Sequence, residues 1–218
     1  MNYILWDWNG TLLDDTQAAL DTLNEMLARR GRAPIAMDFY RDNFAFPCRP
    51  FYEQIGMDVP DAEWDALARE YHETYSRKAV QLNAETIDAL ERVKASGAKQ
   101  SIISALRQDL LDAQAEAFGV APYMDCIYGT DNLDGASKLD RALELMSRLA
   151  PASGELPDVV LIGDALHDKE VADALGIRCV LCAQGSHSAR RLRAAAPTGE
   201  TLLEAVAIAL KQCENMKV

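Results

Sequence analysis

The opening stretch from Tyr3 to Thr16, YILWDWNGTLLDDT, constrains the fold more than any other part of the chain. Its apolar start has the length and composition of a buried strand. The run stops at an acid, Asp7, and Gly10 then allows the backbone to turn tightly. In open α/β sheets, ligands bind beyond the carboxyl ends of the strands. The stretch therefore predicts a strand of such a sheet, with Asp7 next to a ligand site.

The part of the chain from Ala84 onward alternates between helical and strand patterns. Short apolar runs bounded by turn residues predict strands over residues 100–104, 126–128, 159–162 and 179–182. The spacing of apolar residues predicts helices over residues 85–96, 108–118, 138–149, 167–175 and 202–213. Strands that alternate with helices form a parallel sheet with right-handed crossovers. The predicted fold class is therefore α/β.

Residues 16–80 differ from the rest, because their patterns are helical throughout. Apolar spacing predicts helices over residues 16–30 and about 61–77. Aromatic residues are dense between positions 37 and 52, where Pro47 and Pro50 favour two short helices over one long helix. The predicted division is an α/β core of residues 1–15 and 82–218, with a helical domain of residues 16–81 inserted after the first strand.

The charge balance narrows the classes of ligand. The 218 residues include 34 Asp and Glu against 22 Lys and Arg, which gives a net charge of −12. Nucleic-acid binders need a basic face, so that class is not expected. No apolar run is long enough to span a bilayer, and the chain begins with a strand pattern instead of a signal peptide. We therefore expect a cytoplasmic protein without nucleic-acid or membrane partners.

Five scattered cysteines agree with a reducing compartment. Cys179 and Cys182 have the spacing of a metal knuckle, but they lie in an apolar run. No second Cys or His pair follows at zinc spacing, so a buried strand is the better interpretation.

Polar residues follow the ends of three further predicted strands. Ser104 ends the strand of residues 100–104, and Lys138 opens the helix after the next strand. Asp164 and Asp168 follow the strand of residues 159–162. Singly, each has an ordinary structural explanation, such as a helix cap, a solvated lysine or acids at a helix N-terminus. Together, each at a strand end, they indicate one site at the carboxyl edge of the sheet.

This set resembles the four-motif signature of the haloacid dehalogenase-like hydrolases: Asp-x-x-x-Thr, then Ser or Thr, then Lys, then Gly-Asp-x-x-x-Asp. The matching positions are Asp7 with Thr11, Ser104, Lys138 and the stretch GDALHD at 163–168. The resemblance covers the whole chain and implies a Rossmann-like parallel sheet with the strand order 5-4-1-2-3. It identifies residues 16–81 as the small helical cap of the family, similar in placement and length to the phosphoglycolate phosphatase and β-phosphoglucomutase branch.

The resemblance implies a phosphatase that forms an aspartyl-phosphate. Asp7 would be the nucleophile, and Lys138 would neutralise both Asp7 and a phosphate oxygen. Thr11 and Ser104 would donate hydrogen bonds to the phosphoryl group. These roles suit phosphoryl transfer, which depends on positioning and on stabilisation of charge.

A magnesium site is implied by the same resemblance, since Mg²⁺ prefers oxygen ligands. The Asp7 and Asp164 carboxylates and the main-chain carbonyl of Asn9 would hold the ion, with Asp168 in support. Without the cation and Lys138, the three carboxylates would repel a phosphate.

Asn9 departs from the family pattern, which has an Asp there that protonates the leaving group and then activates water. An amide cannot exchange a proton in this way, so a slow phosphatase is expected. General acid–base assistance is typically worth about 10²–10⁴-fold. His167, inside the acidic loop, is the candidate replacement, because histidine titrates near neutrality.

Other activities of the family fit the sequence less well. Dehalogenases need no metal and would not require the full acidic loop. Phosphonoacetaldehyde hydrolases need a Schiff-base lysine in the cap, where the one lysine is Lys78 at the far end. Phosphoglucomutases depend on the acid that Asn9 replaces.

Substrate choice in this family is made by the cap, which closes over the core. Arg49 is the best candidate for an anion-reading cap residue, and Arg41 and Tyr52 are weaker candidates. A hinge is expected at Asp14 and Asp15 and at residues 81–84.

The sequence thus predicts a Mg²⁺-dependent phosphatase that acts on a small phosphorylated metabolite. The alternative is a catalytically weakened member of the family that binds a phosphorylated ligand or partner for regulation, and Asn9 is the feature that favours it.

Overall fold

The computed structural model describes residues 2–130, 138–149 and 158–214. Met1 and the stretches 131–137, 150–157 and 215–218 of the predicted core lie outside the described residues. Within these limits the strands are β1 (Asn2–Trp6), β2 (Leu13–Asp14), β3 (Gln81–Leu82), β4 (Lys99–Arg107), β5 (Ile127–Thr130), β6 (Asp158–Gly163), β7 (Arg178–Cys182) and β8 (Thr198–Gly199).

The helices follow the predicted pattern closely, and most ends lie within a few residues of the expected positions. They are α1 (Thr16–Arg29), α2 (Met37–Asn43), α3 (Arg49–Gln54), α4 (Asp61–Tyr75), α5 (Thr86–Ala95), α6 (Gln108–Ala117), α7 (Lys138–Leu149), α8 (Leu166–Leu175), α9 (Ala189–Arg193) and α10 (Leu202–Glu214), with a 3₁₀ helix at Ala121–Tyr123. The two short helices expected around Pro47 and Pro50 are α2 and α3. Helix α9 and the 3₁₀ helix are too short to show a periodic pattern.

The main sheet has the order β5-β4-β1-β6-β7-β8, and every pair in it is parallel. Numbered along the chain, the five predicted strands lie in the order 3-2-1-4-5, which is the expected order read from the other edge. The sheet differs from the expectation in one detail, because β8 adds a sixth strand at this edge. With two residues, β8 is too short to be recognised by alternation.

The central strand β1 is buried on both faces, as its unbroken apolar sequence requires. Ile4 and Trp6 pack in a core with α5, α6 and α10. Tyr3 and Leu5 point to the other face, towards α7 and α8. The resulting three-layer arrangement places the carboxyl end of β1 in the middle of one sheet edge.

The helices between β2 and β3 have a core of their own. Leu23, Met26 and Leu27 of α1 pack against Tyr40, Phe51 and Leu67 of α2, α3 and α4. The chain enters and leaves this helical segment side by side, because β2 and β3 form an antiparallel pair with Leu13 opposite Leu82. This pair coincides with the positions expected for a hinge.

Candidate active site

The turn after β1 brings Asp7 to the carboxyl edge of the sheet. The backbone N–H of Asp7 donates to Ile162 O at 2.9 Å, which ties the end of β1 to β6. Gly10 has φ +77°, and a Cβ at this position would lie 2.3 Å from Oδ2 of Asp164. Any other residue would therefore strain the turn and displace Asp164.

Three buried carboxylates, those of Asp7, Asp164 and Asp168, meet at this edge. One oxygen of each lies within 4.8 Å of the others. Lys138 Nζ lies 2.5 Å from Oδ1 of Asp7 and 2.6 Å from Oδ1 of Asp168. The structure therefore brings these four side chains together, although 131 positions separate Asp7 from Lys138.

The electrostatics of the cluster follow from burial and close charges. Burial raises the pKa of Asp7 to about 6, against the lowering effect of Lys138. Burial and the neighbouring acids hold the pKa of Asp164 well above its usual range. Burial also raises the pKa of Asp168, but the charge and hydrogen bond of Lys138, together with the hydrogen bond from the Ala165 N–H, make the net shift downward. Desolvation opposes the charge of Lys138, yet Asp168 and Asp7 raise its pKa overall, so the ammonium stays charged.

The loop after β7 completes the pocket around Asp164 and was not anticipated from the sequence. The Ser186 N–H donates to Oδ2 of Asp164 at 2.5 Å. A Cβ at Gly185 would lie 2.1 Å from the same oxygen, so this close approach requires glycine. His187 Nδ1 accepts the Leu166 N–H at 3.0 Å, and burial lowers the pKa of His187 to about 4. A Gly-Ser pair after the fifth predicted strand was the available signal.

Thr11 and Ser104 occupy different places relative to the carboxylates. The Thr11 hydroxyl is fully buried and lies 3.2 Å from Asp7 Oδ2 and 3.3 Å from Asp164 Oδ1. It therefore fixes the positions of these two carboxylates from the protein side of the cluster. Ser104 lines the cavity beside Asp7, and its Oγ accepts the Leu106 N–H at 3.0 Å. Hydrogen bonding of either hydroxyl to a substrate stays a prediction.

Asn9 is held by Asp15, a residue that the sequence analysis placed only in the hinge. Asn9 Nδ2 donates to Oδ2 of Asp15 at 2.7 Å, and the Gly10 N–H donates to Oδ1 at 2.7 Å. The Tyr75 hydroxyl, from the last turn of α4, donates to Oδ2 at 2.5 Å. Burial raises the pKa of Asp15, while these three hydrogen bonds oppose the shift. Asp15 therefore joins the Asn9 amide to the end of the helical segment.

His167 and Arg49, two further predicted site residues, both contact neighbouring protein side chains. The His167 ring packs against Phe46, and its Nδ1 lies 3.4 Å from Glu170 Oε2. Arg49 lies 2.7 Å from Asp61 and 3.2 Å from Glu53. The role of His167 as acid or base and of Arg49 as an anion reader stay predictions. For Arg49, an anion would compete with two carboxylates.

A cavity of about 510 Å³ lies between the sheet edge and the helical segment. Two predicted residues do not line it, Thr11 and the weaker candidate Arg41, whose guanidinium donates to the carbonyls of Gln184 and Gly185. The other predicted site residues line the cavity: Asp7, Asn9, Arg49, Tyr52, Ser104, Lys138, Asp164, His167 and Asp168. Asp15, Tyr75 and Ser186, which were not predicted as site residues, line it as well. The sheet edge and the helices therefore enclose one candidate active site.

The fold and the site together define an α/β protein with a carboxylate-lined cavity at the carboxyl edge of its sheet, and comparison with known proteins gives the family. Residues 4–182 match the model of a haloacid dehalogenase-like hydrolase, so the chain belongs to that family. A phosphoglycolate phosphatase of Caulobacter vibrioides is 25% identical over 189 residues, covering 84% of this chain and 79% of the relative. Phosphoglycolate phosphatase 1 of Pseudomonas aeruginosa is 24% identical, covering 89% and 74%.

Solved structures agree on the fold. A haloacid dehalogenase-like hydrolase from Streptococcus pneumoniae superposes with a TM-score of 0.71 at 21% identity, covering 94% of this chain and 97% of that one. The family match and the phosphoglycolate phosphatase relatives confirm the predicted membership of the family and of its phosphoglycolate phosphatase-like branch. In the described part of the chain, no helix has the length and apolar character needed to cross a membrane.

We expect Lys138→Met to lower the free energy of unfolding by about 3–5 kcal/mol, because removing one partner of a buried ion pair leaves the other charge uncompensated. Urea denaturation without divalent cations measures this loss. Lys99→Met is the matched control, since Lys99 pairs with Asp125 at 3.1 Å on the surface, where such pairs contribute about 0–1 kcal/mol. Equal losses in the two variants would contradict the importance of the buried pair.

Proposed function

We propose that this protein is a Mg²⁺-dependent phosphatase that hydrolyses a small phosphate monoester through an aspartyl-phosphate on Asp7. The observation that supports it most strongly is the buried contact between Asp7 and Lys138 at the carboxyl end of β1. Relatives named phosphoglycolate phosphatase along most of the chain support the same reaction class. Five free cysteines are compatible with action in the reducing cytoplasm.

The residues around Asp7 suit a divalent cation. When ionised, the three carboxylates of this buried cluster exceed the one ammonium by two negative charges, which a divalent cation would balance. Oxygen donors are also the ligands that Mg²⁺ prefers. Asp7, Asp164, Asp168 and the main-chain carbonyl of Asn9 would hold the ion, which when bound supplies positive charge next to the phosphate oxygens.

In the first step, a carboxylate oxygen of Asp7 attacks phosphorus, and the bond from phosphorus to the leaving oxygen breaks. Lys138 holds Oδ1 of Asp7 in place and offsets the charge that develops on the phosphoryl oxygens. Thr11 fixes the other Asp7 oxygen from below. Ser104, which lines the cavity, would donate to the phosphoryl group.

In the second step, water attacks phosphorus, the bond to Asp7 breaks and inorganic phosphate leaves. This step needs a group that accepts a proton from the water, which the Asn9 amide cannot do. The Asn9 amide instead donates a hydrogen bond to Asp15 at 2.7 Å. We therefore place the slow step in hydrolysis of the aspartyl-phosphate, with His167 as the candidate base.

A quenched-flow time course with p-nitrophenyl phosphate, with and without Mg²⁺, tests the proposal. This leaving group barely needs protonation, so the first step proceeds without an acid at position 9. Steady Mg²⁺-dependent turnover supports the phosphatase. A burst equal to the enzyme concentration followed by no turnover supports the alternative function, a phospho-ligand-binding member of the family, which the fixed Asn9 amide favours. No product in either phase would overturn the phosphatase.

We expect saturating Mg²⁺ to stabilise the folded protein, because the ion relieves repulsion among the three carboxylates. At a concentration of about 100 Kd the gain is about 2.7 kcal/mol, or roughly 5–10 °C in melting temperature for a chain of this size. Differential scanning calorimetry with MgCl₂ and with EDTA measures the shift. Asp164→Asn is the control that should lose it. A wild-type melting temperature unmoved by Mg²⁺ would contradict the metal site.

A further inference from the structure

The wall that the helical segment contributes to the active-site cavity is rich in aromatic side chains. Seven half-buried or buried Phe, Tyr and Trp rings of the helical segment line it: Tyr40, Phe44, Phe46, Tyr52, Trp64, Tyr71 and Tyr75. They pair with one another, with centroids 5.2 Å apart for Phe44 and Phe46, 5.5 Å for Tyr52 and Trp64, and 6.0 Å for Tyr71 and Tyr75. Such rings bind flat apolar groups through stacked and edge-to-face contacts.

The charges on this wall do not suit a second anionic group on the substrate. Apart from Lys138, which Asp7 and Asp168 engage, Arg49 is the one Lys or Arg side chain among the described residues that line the cavity. Its guanidinium is already paired with Asp61 and Glu53, and it lies 5.4 Å above the Trp64 ring. Asp15 and Asp65 add negative charge to the same lining.

We propose that the site takes phosphate monoesters whose organic group is a neutral aromatic ring, in preference to monoesters that bear a second carboxylate. The inference rests on the proposed function, since it assumes that the phosphate lies against Asp7 and Lys138. The ring would then face the aromatic wall and lose apolar surface to water. A carboxylate in that position would be desolvated next to Asp15 and Asp65 without a free cation. The volume of about 510 Å³ accommodates a ring together with the phosphate.

Benzyl phosphate and 2-phosphoglycolate test this preference directly. Both carry phosphate on a primary alcohol oxygen next to a CH₂ group, and they differ in having phenyl or carboxylate beyond it. We expect kcat/KM to be at least about tenfold higher for benzyl phosphate, the gain that one or two aromatic contacts provide. Equal values, or a preference for 2-phosphoglycolate, would overturn the inference.

A binding measurement separates failure of the inference from failure of the proposed function. With Mg²⁺ present, isothermal titration calorimetry compares the binding of 2-phenylethylphosphonate and 3-phosphonopropanoate. These are the phosphonate analogues of benzyl phosphate and 2-phosphoglycolate, and neither can be hydrolysed. Binding at least about tenfold tighter for the phenyl compound supports the ligand class even if p-nitrophenyl phosphate is not turned over. Equal binding in an enzyme that hydrolyses p-nitrophenyl phosphate overturns the aromatic preference and leaves the phosphatase intact.

A variant in which Arg49 loses its two carboxylate partners tests whether the lack of a free cation among the described lining residues disfavours the second carboxylate. The variant Glu53→Gln/Asp61→Asn removes both carboxylates that hold its guanidinium, and both are surface residues. We expect the benzyl-to-carboxylate ratio of kcat/KM to fall at least about threefold, since a freed cation adjacent to the cavity attracts the second anion. Asp58→Asn/Glu63→Gln changes the net charge equally at exposed positions and is the control. An equal fall in both variants would overturn the role of Arg49.

Discussion

The double variant Asn9→Asp/Asp15→Asn is expected to turn over p-nitrophenyl phosphate about 10²–10⁴ times faster than the wild type, the range typical of general acid–base assistance. The change exchanges the carboxylate and the amide of a pair joined at 2.7 Å. The exchanged amide can still donate across the pair, so the hydrogen bond is kept. The carboxyl group moves to the position from which the family activates water. Steady-state kcat at saturating Mg²⁺ measures the effect.

The single variants give this prediction its sharpest control. Asn9→Asp alone would place two carboxylates at hydrogen-bond distance, where one of them must bind a proton or move away. We therefore expect a smaller gain for Asn9→Asp than for the double variant. Asp15→Asn alone adds no acid and should give no gain. If Asn9→Asp alone matched the double variant, the Asp15 contact would have no effect on the chemistry.

Asp7→Asn is expected to abolish turnover, with a loss on the order of the 10⁶-fold seen when the nucleophile of a covalent hydrolase is removed. An amide oxygen is a poor nucleophile, and the change also removes one of the two acids that hold Lys138. Because Asp168 still pairs with Lys138 at 2.6 Å, the protein should stay folded. The measurement is the burst amplitude in quenched flow with p-nitrophenyl phosphate.

Asp109→Asn supplies the matched control for Asp7→Asn. Asp109 pairs with Arg107 on the surface, away from the carboxylate cluster, so this variant should keep the wild-type burst. Circular dichroism of both variants confirms folding. A normal burst in Asp7→Asn would show that another residue is the nucleophile and would overturn the mechanism proposed here.

The amino-acid sequence alone determined the fold class, the place of the helical segment and the residues that meet at the carboxyl edge. The unbroken apolar run of β1 requires burial on both faces, and the carboxyl ends of parallel strands lie at a common edge. Asp7, Lys138 and Asp164 could therefore be assigned to one site before any contact was known. The strand order followed from family resemblance, because periodicity specifies strands without their neighbours.

Only the tertiary structure decided which groups engage Asn9 and Arg49. Asp15 and Tyr75 are 60 positions apart, yet both meet at the Asn9 amide because α4 ends against the turn after β1. Arg49 has a carboxylate partner one helical turn away in Glu53, which its sequence spacing allows, but Asp61 reaches it from another helix. Local patterns encode which face of an element is apolar. They do not encode the packing that joins distant side chains, and here that packing sets both the hydrogen bonds of Asn9 and the lining of the cavity.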